Sequence, residues 1–145
     1  MNIAVQNLIY SQSAAERILN LPPFSVVKVE LIDSQQIKVT TAKKQEYCIS
    51  RPKFLQHFAH IRQLRAKKLQ VSRGNYRNLF IVTNPENNHC YRVRTTATKV
   101  ECKCRDYQKQ QEILSKGCCK HGYAVLQTLG FDSLSNYLNR ERAVA

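Results

Sequence analysis

Residues 102–121 read CKCRDYQKQQEILSKGCCKH and hold four of the chain's six cysteines and one of its four histidines. Thiols at this density form a metal site, a disulfide framework or a redox device. In the flanking TKVECKC, a period of two puts Val100, Cys102 and Cys104 on one strand face and Lys99, Glu101 and Lys103 on the other. Two cysteines at i and i+2 on a strand can both approach one ion, at about 2.3 Å from each sulfur. Cys119 and His121, again one residue apart, supply the other half of a tetrahedron. They stand at the start of GYAVLQTL, whose apolar period reads as a helix. Helix N-terminal amides favour thiolate charge.

Upstream, NLFIVTN, the turn Asn84-Pro85-Glu86-Asn87-Asn88 and HCYRVR give a hairpin with Tyr91 and Val93 on one face. A Tyr-x-Val strand, Cys-x-Cys, a spacer of 14 residues, Cys-x-His and an apolar helix together resemble a SWIM zinc finger. The likeness runs over about residues 89–129, roughly 40 of 145, through Tyr91, Val93, Cys102 and Cys104, the acidic-aromatic pair Asp106-Tyr107, Cys119-Lys120-His121 and the Ala124-Val125-Leu126 helix. The resemblance implies one structural zinc ion bound by Cys102, Cys104, Cys119 and His121, in a lobe built from a β-hairpin and a helix. A Cys3His set is independently a closed site with no open position for substrate. A chance cluster of buried cysteines and a thiol redox pair are the competing readings. Cys118 lies three residues from His121 and could compete for the ion, although the family pattern selects Cys119. Cys48 reads as a small core residue, His57 and His60 as surface histidines, and His89 and Cys90 as lacking partners for a second site.

The length suits one domain or two small lobes, and no apolar run approaches the roughly 18 residues of a membrane span. The first 20 residues carry no basic group before Arg17 and no signal-peptide core, which predicts a cytoplasmic protein. A reducing compartment disfavours stable disulfides. Lys and Arg number 23 against 10 Asp and Glu, a net charge of +13, which points to a polyanionic partner.

In the N-terminal part, SAAERILN can form a short helix with Ala15, Ile18 and Leu19 on one side, stopped by Pro22-Pro23. FSVVKVELID places Val27, Val29 and Leu31 on one face. QIKVTTA aligns Ile37, Val39 and Thr41, with a turn at Asp33-Ser34-Gln35, and EYCIS completes an antiparallel meander. RPKFLQHFAHIRQLRAKKLQ reads as a basic helix with Phe54, Leu55, Phe58, Ile61 and Leu64 facing a core, its last turns running into solvent. Near the C-terminus, Asp132 is a candidate N-cap ahead of a packing face of Leu134, Tyr137 and Leu138. The expected fold class is α+β. Residues 1–75 form an α+β region with the basic helix, residues 76–145 form the SWIM-like zinc region, and the boundary falls near Val71–Tyr76, if the two are not one domain.

Between Tyr47 and Pro85 there is no acidic residue, while Arg51, Lys53, Arg62, Arg65, Lys67, Lys68, Arg73 and Arg77 contribute eight positive charges. Candidate nucleic-acid contacts are Arg62, Arg65, Lys67, Lys68, Arg73, Tyr76, Arg77, Lys103 and Lys120. Cations track phosphates and a tyrosine stacks on a base. The bland reading is a solvated helix end. Zinc with three thiolates and a neutral imidazole carries net charge of about −1, which Lys103, Arg105, Lys116 and Lys120 are placed to offset. No nucleophile with a matched base, phosphate loop or paired carboxylates is present, so the chain does not read as an enzyme and no small-molecule substrate is expected. The resemblance leaves two uses open, since SWIM-like fingers occur in transposase-related proteins and helicase-like ATPases and also as interaction modules. The first expectation is a nucleic-acid-binding module, DNA ahead of RNA, acting as a regulator or accessory factor in replication, repair or mobile-element biology. The alternative is a protein-binding adaptor, which exposed apolar area at Tyr123, Leu126, Tyr137 or Leu138 would favour.

Overall fold

Alternation in the first half of the chain forms strands where the period requires them. In the computed structural model, which describes residues 2–140, β1 (Val26–Leu31), β2 (Gln36–Thr41) and β3 (Glu46–Ser50) pair antiparallel in that order. Asp33 Oδ1 accepts hydrogen bonds from the Gln35 and Gln36 amides, fixing the first turn. Preceding the sheet are α1 (Ile3–Ile9), capped by Asn2, and α2 (Gln12–Leu19), capped by Ser11. The chain divides into one unit ending at Ile61 and another beginning at Arg62.

The first unit buries Ile9, Tyr10, Ala14, Ala15, Ile37, Val39, Ile49 and Phe54, with Tyr10 edge-on to Phe54 at 5.3 Å between ring centroids. Several sequence expectations need correction here. A register shift between Val26 and Lys28 leaves Val27 out of the ladder, so Val26 rather than Val27 is buried, while Val29 and Leu31 stay on the face of Val39 and Ile37, where Leu31 is nonetheless exposed. Cys48 faces solvent because the period of two that buries Ile49 sends its neighbour outward. The helix α3 (Arg51–Ala66) buries Phe54 and Ala66, whereas Leu55 and Leu64 are exposed, so its apolar residues do not form one buried stripe.

The second unit is a four-stranded antiparallel sheet in the order β4 (Gln70–Arg73), β5 (Leu79–Thr83), β6 (Cys90–Thr95) and β7 (Val100–Cys102). Its inner face presents Phe80, Val82, Val93 and Val100. Onto that face packs α5 (Lys120–Thr128), which buries Ala124, Val125 and Leu126. Full burial of such side chains stabilises by about 1.5–3 kcal/mol each. Between β7 and α5 the spacer forms α4 (Arg105–Leu114). Ser133, not Asp132, caps the closing α6 (Leu134–Leu138), because the Ser133 hydroxyl is the oxygen that reaches the Asn136 amide. The buried Tyr137 donates its hydroxyl to the Thr96 carbonyl, and Leu138 is partly exposed. The last five residues of the expected C-terminal region, 141–145, lie outside the described residues. Among the described residues no helix is long and apolar enough to cross a membrane.

Candidate metal centre

Strand β7 delivers Cys102 at its last residue, and the chain then turns so that Cys104 becomes the N-cap of α4. Cys119 is likewise the N-cap of α5, and His121 lies in its first turn. The ligand atoms of Cys102, Cys104, Cys119 and His121 all lie within 4.8 Å of one another, and all four residues are buried. Histidine Nδ1 faces the sulfurs, 3.8 Å from Cys102 Sγ and 3.7 Å from Cys119 Sγ. Tyr91 covers the imidazole with ring centroids 4.5 Å apart.

The two capping cysteines do what a capping serine does, with sulfur in place of oxygen. The Tyr107 amide donates to Cys104 Sγ and the Gly122 amide to Cys119 Sγ, each at 3.4 Å. Both sulfurs therefore sit at the positive end of a helix, which favours the thiolates a divalent cation requires. Hydrogen bonds from Cys102 and Cys119 hold the Cys104 thiol well below its usual range. The same sharing pushes Cys102 up to about 11, through its hydrogen bond with Cys104, and raises Cys119 through its bonds with Cys102 and Cys104. Three soft sulfurs and one imidazole nitrogen, converging from four buried residues, fit one zinc ion in a closed, structural site. When bound, zinc would supply cross-linking of β7, α4 and α5 and no reactive position.

The ligand-bearing loop is held by a polar chain that the sequence alone did not reveal. Gln110, fully buried on α4, accepts from the Cys118 amide at 3.0 Å and donates to the Cys118 carbonyl at 3.2 Å. Its amide also donates to Asp106 at 3.1 Å, and Asp106 receives a bidentate pair from Arg62 at 2.9 and 2.8 Å. A Cβ at Gly117 would run into the Gln110 side chain, and one at Gly122 would stand 2.9 Å from Cys118 Sγ. Cys118 is not among the converging donors. Its buried sulfur points to the Cys119 carbonyl at 3.7 Å, and burial pushes its thiol far up, so it packs as a protonated side chain.

Two concavities flank the donor set. One, of about 350 Å3, is lined by Arg62, Arg65, His89, Asp106, Lys120 and His121 among others. The second, of about 530 Å3, is lined by residues including Tyr76, Arg92, Arg94 and Lys103. Tyr91 lines both. Of the candidate nucleic-acid contacts, Arg65 and Lys120 thus meet on one side and Tyr76 and Lys103 on the other. Lys67, Lys68, Arg73 and Arg77 are exposed but line neither. Arg62 is different: its side chain is only 14% exposed and is committed to Asp106. Sequence reasoning missed Arg92 and Arg94, although the period of two that buries Val93 turns both outward.

Comparison with family models matches residues 91–130 to the SWIM zinc finger, a span that contains all four donors. Comparisons with curated proteins and with solved structures give no match.

Proposed function

We propose that the chain is a zinc-organised nucleic-acid-binding module, DNA being the expected polymer, which serves as a regulator or accessory factor in replication, repair or mobile-element biology. The observation that carries this reading is the placement of Arg65 and Lys120 in one concavity and Arg92, Arg94 and Lys103 in the other, on either side of one metal centre. Cations so disposed suit a polymer of phosphates, because each ion pair releases counterions whatever the base sequence. Zinc supports the surface indirectly: Lys103 stands between Cys102 and Cys104, and Lys120 between Cys119 and His121. A closed donor set supports binding rather than catalysis. A reducing, cytoplasmic setting suits a centre of three thiolates.

The adaptor reading has less support. Of the four side chains whose exposure would favour it, Tyr123, Leu126 and Tyr137 are buried and Leu138 alone is partly open. The test is a fluorescence-anisotropy titration of labelled DNA and RNA with zinc-loaded protein over a salt series. The expected affinity falls steeply with salt. Replacing Arg65, Lys67 and Lys68 by glutamine flattens the slope of log K against log salt by about 0.9 for each duplex phosphate that is no longer neutralised. An unchanged slope removes these residues from the interface, and absence of binding at moderate salt removes the nucleic-acid reading.

A further inference from the structure

The outer face of the second sheet holds a group of side chains for which packing has no use. The register Val93↔Phe80 and Val93↔Cys102 points inward, so Ile81↔Arg92 and Leu79↔Arg94, one residue along, point outward. Arg92 and Arg94 therefore stand on an interior strand of the sheet, exposed, above the partly buried side chains of Leu79 and Ile81. Tyr76, in the turn between β4 and β5, lines the same concavity and is 72% exposed. A soluble fold gains nothing from a tyrosine left this open, whereas a planar ring beside two guanidinium groups offers a base a face and its phosphates two anchors. Glu101, opposite Arg94 in the register, is paired with Lys99 at 2.9 Å, and Arg92, Arg94 and Lys103 leave cations in excess along the concavity.

We propose that this concavity takes one unpaired base of a single-stranded nucleic acid, stacked on Tyr76, with the adjoining phosphates held by Arg92 and Arg94. The inference rests on the nucleic-acid reading above and narrows it to single strands. In a duplex both faces of each base are already stacked on neighbours, so a duplex can use the arginines but not the tyrosine. Single-stranded DNA and RNA share the required chemistry, and both enter the test.

The experiment compares zinc-loaded wild-type protein with Tyr76→Ala, Tyr76→Phe and the double variant Arg92→Gln/Arg94→Gln. Probes are a labelled DNA oligonucleotide, the RNA of the same sequence and the DNA duplex, each over a salt series. Zinc content and circular dichroism are checked for every variant. The wild type is expected to bind single strands more tightly than duplex. Tyr76→Ala is expected to weaken single-strand binding by about 5- to 150-fold at an unchanged salt slope, with little change on duplex. Tyr76→Phe keeps the affinity, and the arginine double variant lowers the salt slope. Equal losses on single strand and duplex, or no loss from a folded, zinc-loaded Tyr76→Ala protein, overturn the proposal while the broader reading stands. A wild type that binds none of the three probes overturns both.

Discussion

Gly117 marks how closely the ligand loop is packed. Its Cα lies against the Gln110 side chain where no Cβ fits, and the same Gln110 amide grips both backbone groups of Cys118. Gly117→Ala must push Gln110 away, and overpacking of this kind costs about 1–3 kcal/mol. Thermal unfolding of the zinc-loaded variant is expected to show that loss, together with weaker zinc retention against a chelator. The two adjacent cysteines separate cleanly. Cys118→Ser is expected to keep one zinc per chain, because the residue sits outside the donor set, and Cys119→Ser is expected to lose it, as metal analysis after gel filtration will read. The thiols also set a pH dependence. With Cys104 held low while Cys102 is pushed up to about 11 and Cys119 is raised, two of three sulfurs hold protons at neutral pH. Zinc must displace both, so affinity rises with pH. Log K is expected to climb with pH through the neutral range in a chelator competition corrected for the chelator's own protonation. A flat profile contradicts this.

At the scale of elements, α4 couples the metal loop to the end of α3. Asp106 in the first turn of α4 takes two hydrogen bonds from Arg62, and Gln110 one turn later takes Cys118. Asp106→Ala leaves a mostly buried guanidinium without that acceptor, and hydrogen bonds to charged groups put the cost at about 2 kcal/mol. Denaturant unfolding of Arg62→Ala, Asp106→Ala and the double variant is expected to reveal coupling, the double variant losing less than the sum of the singles. Sequence alone could not expose this pair, because the partners are 44 residues apart and Arg62 reads as one more cation in an acid-free run. The helix α4 was hidden for a related reason: its cap is a cysteine, which sequence rules do not count as a cap, and its only buried residues are Tyr107 and Gln110. By contrast β5, β6 and β7 were legible, since each carries its buried residues at a period of two, and α5 was legible as an apolar segment, although it is buried over the unbroken run from His121 to Leu126. The strand β4 was not, because none of its four residues is buried and QVSR shows no apolar alternation. A bulge spoiled the reading of β1 at one end only: the extra residue puts Val26 instead of Val27 on the core face, whereas Val29 and Leu31 keep the face their alternation gives them.

At the scale of the molecule, a net charge of +13 goes with two units, of which the second carries the metal donor set. Structural zinc contributes about 10–16 kcal/mol in small zinc-finger peptides, comparable with the roughly 5–15 kcal/mol that stabilises an ordinary domain. Chelation is therefore expected to remove hydrogen-exchange protection from β5, β6 and α5, while β2 in the first unit, with its own core of Ile37, Val39 and Phe54, keeps its protection. The legible part of the function was the donor set. The partition of the cations was not legible, because it brings together residues distant in sequence, Arg65 on α3 beside Lys120 on α5 and Tyr76 beside Lys103. The account of the second unit rests on the composition of its metal centre, which zinc K-edge X-ray absorption on the purified chain reads directly. One zinc per chain with three sulfurs at about 2.3 Å and one nitrogen at about 2.0 Å is the predicted shell. A four-sulfur shell would bring Cys118 into the site, and an oxygen neighbour would open it to solvent. Either result would contradict the centre described here.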